Sequence, residues 1–148
     1  MAKVSSLTMS GYAPDFLAES IGSGFDHLLP AGVPLDLTSI PVVDGKQSIE
    51  AGAIINRLWS LQTTGKFKLW TGTGTPDALE EFYIVPFAVN DLAGISIEAT
   101  GEAACNALRW NTLLYEDRLP AYYQALSAPL KLTIRGKYQM IVGRKVAL

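Results

Sequence analysis

Few residues of this chain have the chemistry needed for catalysis, and they are scattered. The chain contains one histidine, His27, and one cysteine, Cys105, so a site built on a nucleophile and a histidine base would have to use them. His27 lies in a segment rich in proline and glycine, which is a poor rigid platform for a catalytic base. Cys105, in "EAACNALRW", has small apolar neighbours and is typical of a buried cysteine. The chain is therefore not expected to be an enzyme.

The stretch "GTGTPDALEEF" has the glycine content of a phosphate-binding loop but not its other features. It lacks the lysine and hydroxyl residue that follow the glycines of a P-loop, and the third glycine of a dinucleotide-binding motif. Pro76 removes a backbone N–H donor, and Asp77, Glu80 and Glu81 would place negative charge beside a phosphate. We predict a polar loop that ends in a helical turn, with Thr75 or Asp77 as the N-cap.

Metal coordination is not indicated by the sequence. One histidine and one cysteine cannot form a structural zinc site. Asp77 and its acidic neighbours could attract Mg²⁺, but acidic clusters of this kind are usually solvated. Glu116 and Asp117 are adjacent, so on a helix their side chains diverge and do not form a carboxylate pair. No metal ion or other cofactor is predicted.

Three tryptophans, Trp59, Trp70 and Trp110, have two possible roles. They could stack on a sugar or a nucleic-acid base. Tryptophan is more often an anchor in a protein core or a subunit interface, and we expect that role here.

The composition indicates a single domain and a protein partner. A chain of 148 residues fits one domain with an appended arm, and its net charge of −2 disfavours a general nucleic-acid partner. The sequence shows neither a membrane-spanning run nor a signal peptide, so we expect a soluble protein made in the cytoplasm with no membrane partner. Only 18% of residues are charged and 49% are hydrophobic. This favours a surface partly covered by a partner or a sister subunit, although a well-packed monomer has the same composition.

Residues 1–43 differ from the rest of the chain because prolines and glycines recur without a helical period. Proline fixes φ and pushes the preceding residue into extended geometry. We predict an extended N-terminal arm that lies on an apolar surface, with one helical turn in "PDFLAESIG".

Residues 44–148 show mainly β patterns. The segments "GAIINRLWSL" and "KFKLW" predict a hairpin with Gly65 at a positive-φ position of the turn. The apolar run "FYIVPFAV" contains Pro86 and predicts an edge or bulged strand. "GISIEAT" alternates apolar and polar residues and predicts a further strand.

One helix is predicted near the C-terminus, followed by a strand pair. Leu119, Tyr122, Tyr123 and Leu126 have the i, i+3, i+4, i+7 spacing, and Pro120 suits a first turn. Pro129 is expected to end the helix. The alternation in "LKLTIRGKYQMIV" then predicts a hairpin with its turn at Gly136.

The charge distribution is uneven. Residues 1–50 carry two basic and six acidic residues, a net charge of −4, and residues 119–148 carry five basic residues and no acidic one. The basic residues could form the solvated face of the last hairpin, or they could match the acidic arm of a neighbouring subunit.

The order of these segments resembles the head-decoration (cement) proteins of tailed bacteriophages, the lambda-type trimeric family. The resemblance covers about residues 30–135 and rests on the arm, the "TGK" hairpin, "VPFAVNDLAGI", "GEAACNALRW" and the short helix "LPAYYQALSA" leading into a basic strand, "LKLTIRG". The segment between Leu108 and Leu119 is longer than in the family, and "KYQMIVGRKVAL" is additional. The resemblance implies a mainly β fold with one or two short helices, a β-tulip-like small barrel preceded by the extended arm.

The resemblance also implies a function. Such a protein would bind the outer surface of an assembled capsid as a homotrimer and bridge subunits of the major capsid protein, on the exterior of a virion. The capsid-binding residues of the arm would be Phe16, Leu17, Phe25, Leu28, Leu29, Pro30, Val33, Pro34, Leu35, Leu37 and Ile40, and the three tryptophans would be trimer-interface or core anchors. The alternative is a tail-fibre or host-recognition module that binds glycans through exposed aromatic residues.

Overall fold

The fold is mainly β with short helices, as predicted. The structure is a computed structural model, and the description covers residues 15–18, 28–29, 32–58, 65–88 and 102–141. The strands are β1 Val33–Asp36, β2 Val42–Val43, β3 Lys46–Gln47, β4 Ile54–Arg57, β5 Lys68–Leu69, β6 Glu81–Ile84, β7 Glu102–Cys105, β8 Leu113–Tyr115 and β9 Gln139–Ile141. The α-helices are α1 Ala121–Gln124 and α2 Ala128–Arg135, and 3₁₀ turns span Leu37–Ser39, Pro76–Leu79 and Glu116–Arg118. The strand predicted in "GISIEAT" lies outside the described residues.

The central sheet has the order β5-β4-β6 and is antiparallel. Its β4–β5 pairing confirms the predicted hairpin, and Gly65 has the predicted positive φ of 83°. Strand β6 lies at the edge of this sheet, as predicted, but it ends at Ile84, so Pro86 lies outside it. The remaining strands form three pairs, which are β1–β7 and β2–β3, both antiparallel, and β8–β9, which is parallel.

A few backbone hydrogen bonds outside the strand pairs join these small sheets. The Phe67 amide donates to the Pro34 carbonyl at 2.9 Å and the Asp36 amide donates to the Phe67 carbonyl at 2.8 Å, so β1 lies beside the start of β5. At the other end, the Leu108 amide donates to the Ile84 carbonyl at 2.9 Å. The sheets in the described residues are open, and no closed barrel is seen.

The core lies on both faces of the central sheet. Ile54 and Ile55 are adjacent on β4 and are both fully buried, and they belong to different hydrophobic clusters. Successive side chains of a strand point to opposite faces, so β4 is covered on each side. One cluster packs the helices and Tyr138 against the sheet, and the other packs β1 and Cys105 against its opposite face.

Helix α1 lies where the sequence predicted a helix but is shorter. Pro120 is its N-cap residue, and the chain continues through Tyr123 and Leu126, which are both buried. The predicted stop at Pro129 is wrong, because this proline lies in the first turn of the next helix. Proline is tolerated there since its missing N–H would have no partner in a first turn.

The strand predicted over 130–135 is also wrong, because these residues belong to helix α2. Leu130 and Ile134 are buried while Leu132 is 68% exposed, which is the i, i+4 pattern of a helix face. Three apolar residues at alternate positions fit either period over so short a run. Gly136 is the C-cap residue of α2 with φ of −71°, and β9 runs parallel to β8, so the predicted hairpin turn is absent.

The described part of the N-terminal segment is built into the fold. Strand β1 pairs with β7, and the β2–β3 pair joins residues on either side of position 43. The predicted boundary between an arm at 1–43 and a domain at 44–148 is therefore not seen in the described residues. Leu17 forms an antiparallel bridge with Leu114, where the sequence predicted a helical turn.

The outer edge of β6 is covered by side chains and by one backbone group. The Trp110 indole N–H donates to the Phe82 carbonyl at 2.8 Å, and the Ile84 amide donates to the Tyr138 hydroxyl at 3.1 Å. The same hydroxyl donates to the Leu108 carbonyl at 2.8 Å. Buried backbone groups need such partners, so these bonds join the C-terminal part of the chain to the sheet.

We predict that Tyr138→Phe lowers the free energy of unfolding by about 1–3 kcal/mol, because the Ile84 amide and the Leu108 carbonyl lose a buried partner. Tyr122→Phe is the matched control, since the Tyr122 hydroxyl is buried without a hydrogen-bond partner. Burial raises the pKa of Tyr122. Removing that hydroxyl should raise the free energy of unfolding by up to about 1 kcal/mol. Urea unfolding followed by circular dichroism measures both changes, and equal effects would contradict the assignment.

Candidate interaction surface

The described residues that could do chemistry are held in structural roles. Cys105 is buried and free, and burial raises the pKa of its thiol to about 12. A thiol that stays protonated is a weak nucleophile. His27 lies outside the described residues.

The glycine-containing loop is a polar turn, as predicted. Gly72 and Gly74 have positive φ values of 85° and 108°, and the loop leads into the 3₁₀ turn Pro76–Leu79. Thr75 occupies the N-cap position but its side chain makes no capping hydrogen bond. An open depression of about 630 Å³ lies here, and its lining includes the carboxylates of Asp77 and Glu80, which would repel a phosphate.

Glu116 forms a buried network that the sequence did not predict. Its side chain turns inward while Asp117 is exposed, so the two adjacent carboxylates diverge as expected. The Glu116 carboxylate accepts hydrogen bonds from the Tyr123 hydroxyl and from Arg135, whose Nε lies 2.9 Å from Oε2 and whose Nη2 lies 3.0 Å from Oε1. Burial, together with this bond to Glu116, raises the pKa of Tyr123. The network ties the 3₁₀ turn at Glu116 to both helices.

The described residues contain no group of three or more His, Cys, Asp or Glu side chains that could hold a metal ion. Glu81 pairs with Arg57 at 2.8 Å. Within the same ranges, no helix has the length and apolar character required to cross a bilayer.

The described tryptophans are engaged inside the chain. Trp70 is a core residue with 7% exposure, and its indole N–H donates to the Thr73 carbonyl at 3.1 Å. Trp110 is half-buried and stacks on Tyr83 with ring centroids 5.4 Å apart, and the Lys137 ammonium lies 4.3 Å from the Trp110 ring centroid. Trp59 lies outside the described residues.

Most of the predicted capsid-binding residues face their own subunit. Five of them are buried in the hydrophobic clusters, namely Phe16, Leu17, Val33, Leu35 and Ile40. Three more are half-buried and pack against the same clusters, namely Leu28, Leu29 and Leu37. The contacts of these side chains lie within the chain, and their binding to a capsid stays a prediction. Pro34 is exposed, and Phe25 and Pro30 lie outside the described residues.

A projecting hairpin, which we call the finger (residues 41–47), is the main apolar feature on the described surface. Val42 and Val43 are 65% and 64% exposed. Adjacent strand residues point to opposite faces, so both faces of the finger are free. In the described residues no other strand pairs with it. The two exposed valines make the finger a candidate contact with another molecule.

The finger has a rigid base. The Gln47 amide nitrogen donates to the Leu37 carbonyl at 2.7 Å and to the Ile40 carbonyl at 3.0 Å. Ile40 and Ile49, on either side of the finger, are each 2% exposed and belong to the core. The finger therefore leaves the core at two fixed points.

The turn of the finger fixes its shape. Asp44 and Gly45 have φ values of 54° and 76°, as a two-residue type I′ turn requires. This hairpin was not predicted from the sequence, because the predicted boundary between arm and domain, at residue 43, falls inside it. The Asp-Gly pair after two valines in "VVDGKQ" was the available signal.

Comparison with known proteins gives no relative of this chain, since no family model, no curated protein and no solved structure matches it.

The buried thiol leads to a reactivity prediction. In the native protein at pH 8, Cys105 should react with a disulfide reagent about a thousand-fold more slowly than in urea, because its pKa is raised from 9.0 to about 12 and the reagent cannot reach it. Absorbance of the released thiol reports the rate. Rapid stoichiometric labelling of the native chain would contradict this placement.

The Glu116 network leads to a stability prediction. Glu116→Gln should lower the free energy of unfolding by about 1.5–3 kcal/mol, because a buried charged acceptor of Tyr123 and Arg135 is lost. Asp117→Asn is the matched control, since Asp117 is exposed and its effect should stay within about 0.5 kcal/mol. Chemical denaturation of both variants makes the comparison, and similar losses would argue against the network.

Proposed function

We propose that this chain is a structural protein of a tailed-bacteriophage virion that binds the outer surface of the assembled capsid as a homotrimer and bridges subunits of the major capsid protein. The observation that carries the proposal is the finger, a rigidly based hairpin with Val42 and Val43 exposed on opposite faces. Such an element fits between neighbouring subunits of another assembly and contacts one with each face.

The size of the finger favours a repetitive partner. Two valines supply far less than the roughly 800 Å² per partner that a stable, specific interface buries. A contact this small is useful where other contacts hold the partners together and raise its effective concentration. The regular surface of a shell, bound by three joined copies, provides that condition.

Part of the element order supports the resemblance to the decoration proteins, although "LKLTIRG" lies in helix α2 and is not the expected strand. Strands of the "TGK" hairpin, the strand in "GEAACNALRW" and the helix in "LPAYYQALSA" occur at the expected places. The hydrogen bonds from Phe67 to Pro34 and from Leu108 to Ile84 link the open sheets at two sides. We propose that the complete chain closes along these links into a β-tulip-like barrel.

A stabilising role needs no reaction at this surface. A protein that binds the assembled shell and not its separate subunits shifts the assembly equilibrium toward the shell. The buried ionisable groups support such a role, since Glu116, Tyr123 and Tyr138 bond to each other or to the backbone of the fold.

The double substitution Val42→Thr with Val43→Thr tests the proposal. Threonine keeps the shape and strand preference of valine but removes apolar contact, so the affinity for shells should fall at least about ten-fold. Co-sedimentation with expanded tailed-phage shells that lack their own decoration protein measures this affinity.

Leu132→Thr is the matched control, because Leu132 is 68% exposed on α2 and lies outside the finger. It should bind like the unmodified protein, and all three proteins should have the same unfolding temperature within a few degrees. Equal binding by the finger variant, or no sedimentation of the unmodified protein with any shell, would refute the proposal.

A further inference from the structure

Residues 15–18, which we call the strap, bind their own domain as an added β-strand. The Tyr115 amide donates to the Phe16 carbonyl at 2.7 Å, and the Ala18 amide donates to the Leu113 carbonyl at 2.9 Å. Between these two pairs, Leu17 lies opposite Leu114 in an antiparallel bridge. The strap therefore covers the edge of β8 that β9 leaves open.

The side chains of the strap are buried in a groove of the domain. Phe16 and Leu17 are 3% and 7% exposed and belong to the larger core cluster. Gly52 lines this groove and has a positive φ of 90°. A Cβ atom at this position would lie 2.4 Å from the Pro120 ring and 3.4 Å from the Phe16 ring. Arg118 completes the site, since its Nη1 donates to the Asp15 carbonyl at 3.2 Å.

These contacts are those of a short peptide in a groove. The strap uses backbone pairing for orientation and two apolar side chains as anchors, as in recognition by strand addition. Nine residues, 19–27, separate Ala18 from Leu28, where the chain next contacts the domain through its bridge to Leu108. Ten peptide steps span at most about 35 Å, whereas the radius of gyration of a domain of this size is about 15 Å. The strap can therefore reach an adjacent copy.

We propose that the groove formed by β8, Gly52, Pro120 and Arg118 takes the strap of a neighbouring copy of this chain, so that the trimer is held by exchanged straps. This inference rests on the homotrimer of the proposed function. Exchange preserves every strap contact. Its free-energy cost is therefore only the difference between the entropy lost in closing a nine-residue loop within one chain and the entropy lost in associating with a second chain. Neighbours joined in a trimer are present at high effective concentration, which makes that cost small.

The described surface supplies a reason for exchange. Within the described residues the exposed large apolar side chains are Val42, Val43 and Leu132, which by themselves bury far less than a stable interface needs. The exchanged Phe16 and Leu17 would add deeply buried apolar area between subunits without exposing any new surface.

Engineered disulfides test the exchange. Ala18 and Leu113 lie opposite each other and are both half-buried, so cysteines at these positions can bond. Ala18→Cys and Leu113→Cys are placed in separate full-length chains that also carry Cys105→Ala, and the two chains are mixed, refolded together and oxidised. Exchange predicts a covalent dimer of the two chains on a non-reducing gel, and the chain carrying both cysteines should give covalent trimers.

The controls separate exchange from random collision. Ala18→Cys mixed with Lys46→Cys, whose cysteine lies on the exposed finger, should give little cross-linking. A doubly substituted chain that yields only monomers with an internal disulfide, and a mixture that yields no dimer, would overturn the proposal, as would failure of any disulfide to form between these positions. Shell binding is a separate readout, because chains that cross-link but do not sediment with shells would refute capsid decoration and leave strap exchange standing.

Discussion

The outer edge of β6 is the constraint on which the arrangement of the C-terminal part of the chain depends. Its carbonyl at Phe82 and its amide at Ile84 are buried and need partners. Trp110 and Tyr138 supply them, and Tyr138 also binds the Leu108 carbonyl, so one hydroxyl joins two distant parts of the backbone. Helix α2, just before Tyr138, packs in the same core cluster as Phe82 and Ile84 of this strand.

The basic C-terminal segment is used mainly for local contacts. Arg135 binds the buried Glu116, the Lys137 ammonium lies over the Trp110 ring, and the Lys131 ammonium donates to the Gln124 carbonyl at 2.9 Å. These contacts stabilise the region that carries the β6 edge, and the hairpin whose solvated face the basic residues were predicted to form is absent. The network around Glu116 favours this one arrangement of the 3₁₀ turn and the two helices, because any arrangement that leaves the buried carboxylate without its partners would be strongly unfavourable.

Two surfaces of the molecule relate to association, and they differ in kind. The finger projects from the core at a fixed position and offers a small apolar contact to a different molecule. The strap lies in a groove and buries Phe16 and Leu17, and the proposed exchange would place this contact between two copies of the chain. A trimer joined by straps would present three fingers in a fixed arrangement. Weak contacts made three at a time bind a regular surface far more strongly than one contact does.

The sequence by itself determined the features that depend on local chemistry. It specified the hairpin with its positive-φ Gly65, the edge strand before Pro86, the helix after Pro120 and the polar nature of the glycine-containing loop. Only the tertiary structure decided where apolar segments are buried. The alternation at 130–134 fits a strand or a helix, and the core contacts of Leu130 and Ile134 select the helix. The apolar N-terminal segment could cover a partner or its own domain, and the pairing of β1 with β7 places that strand on its own domain, because such pairing depends on residues far apart in sequence.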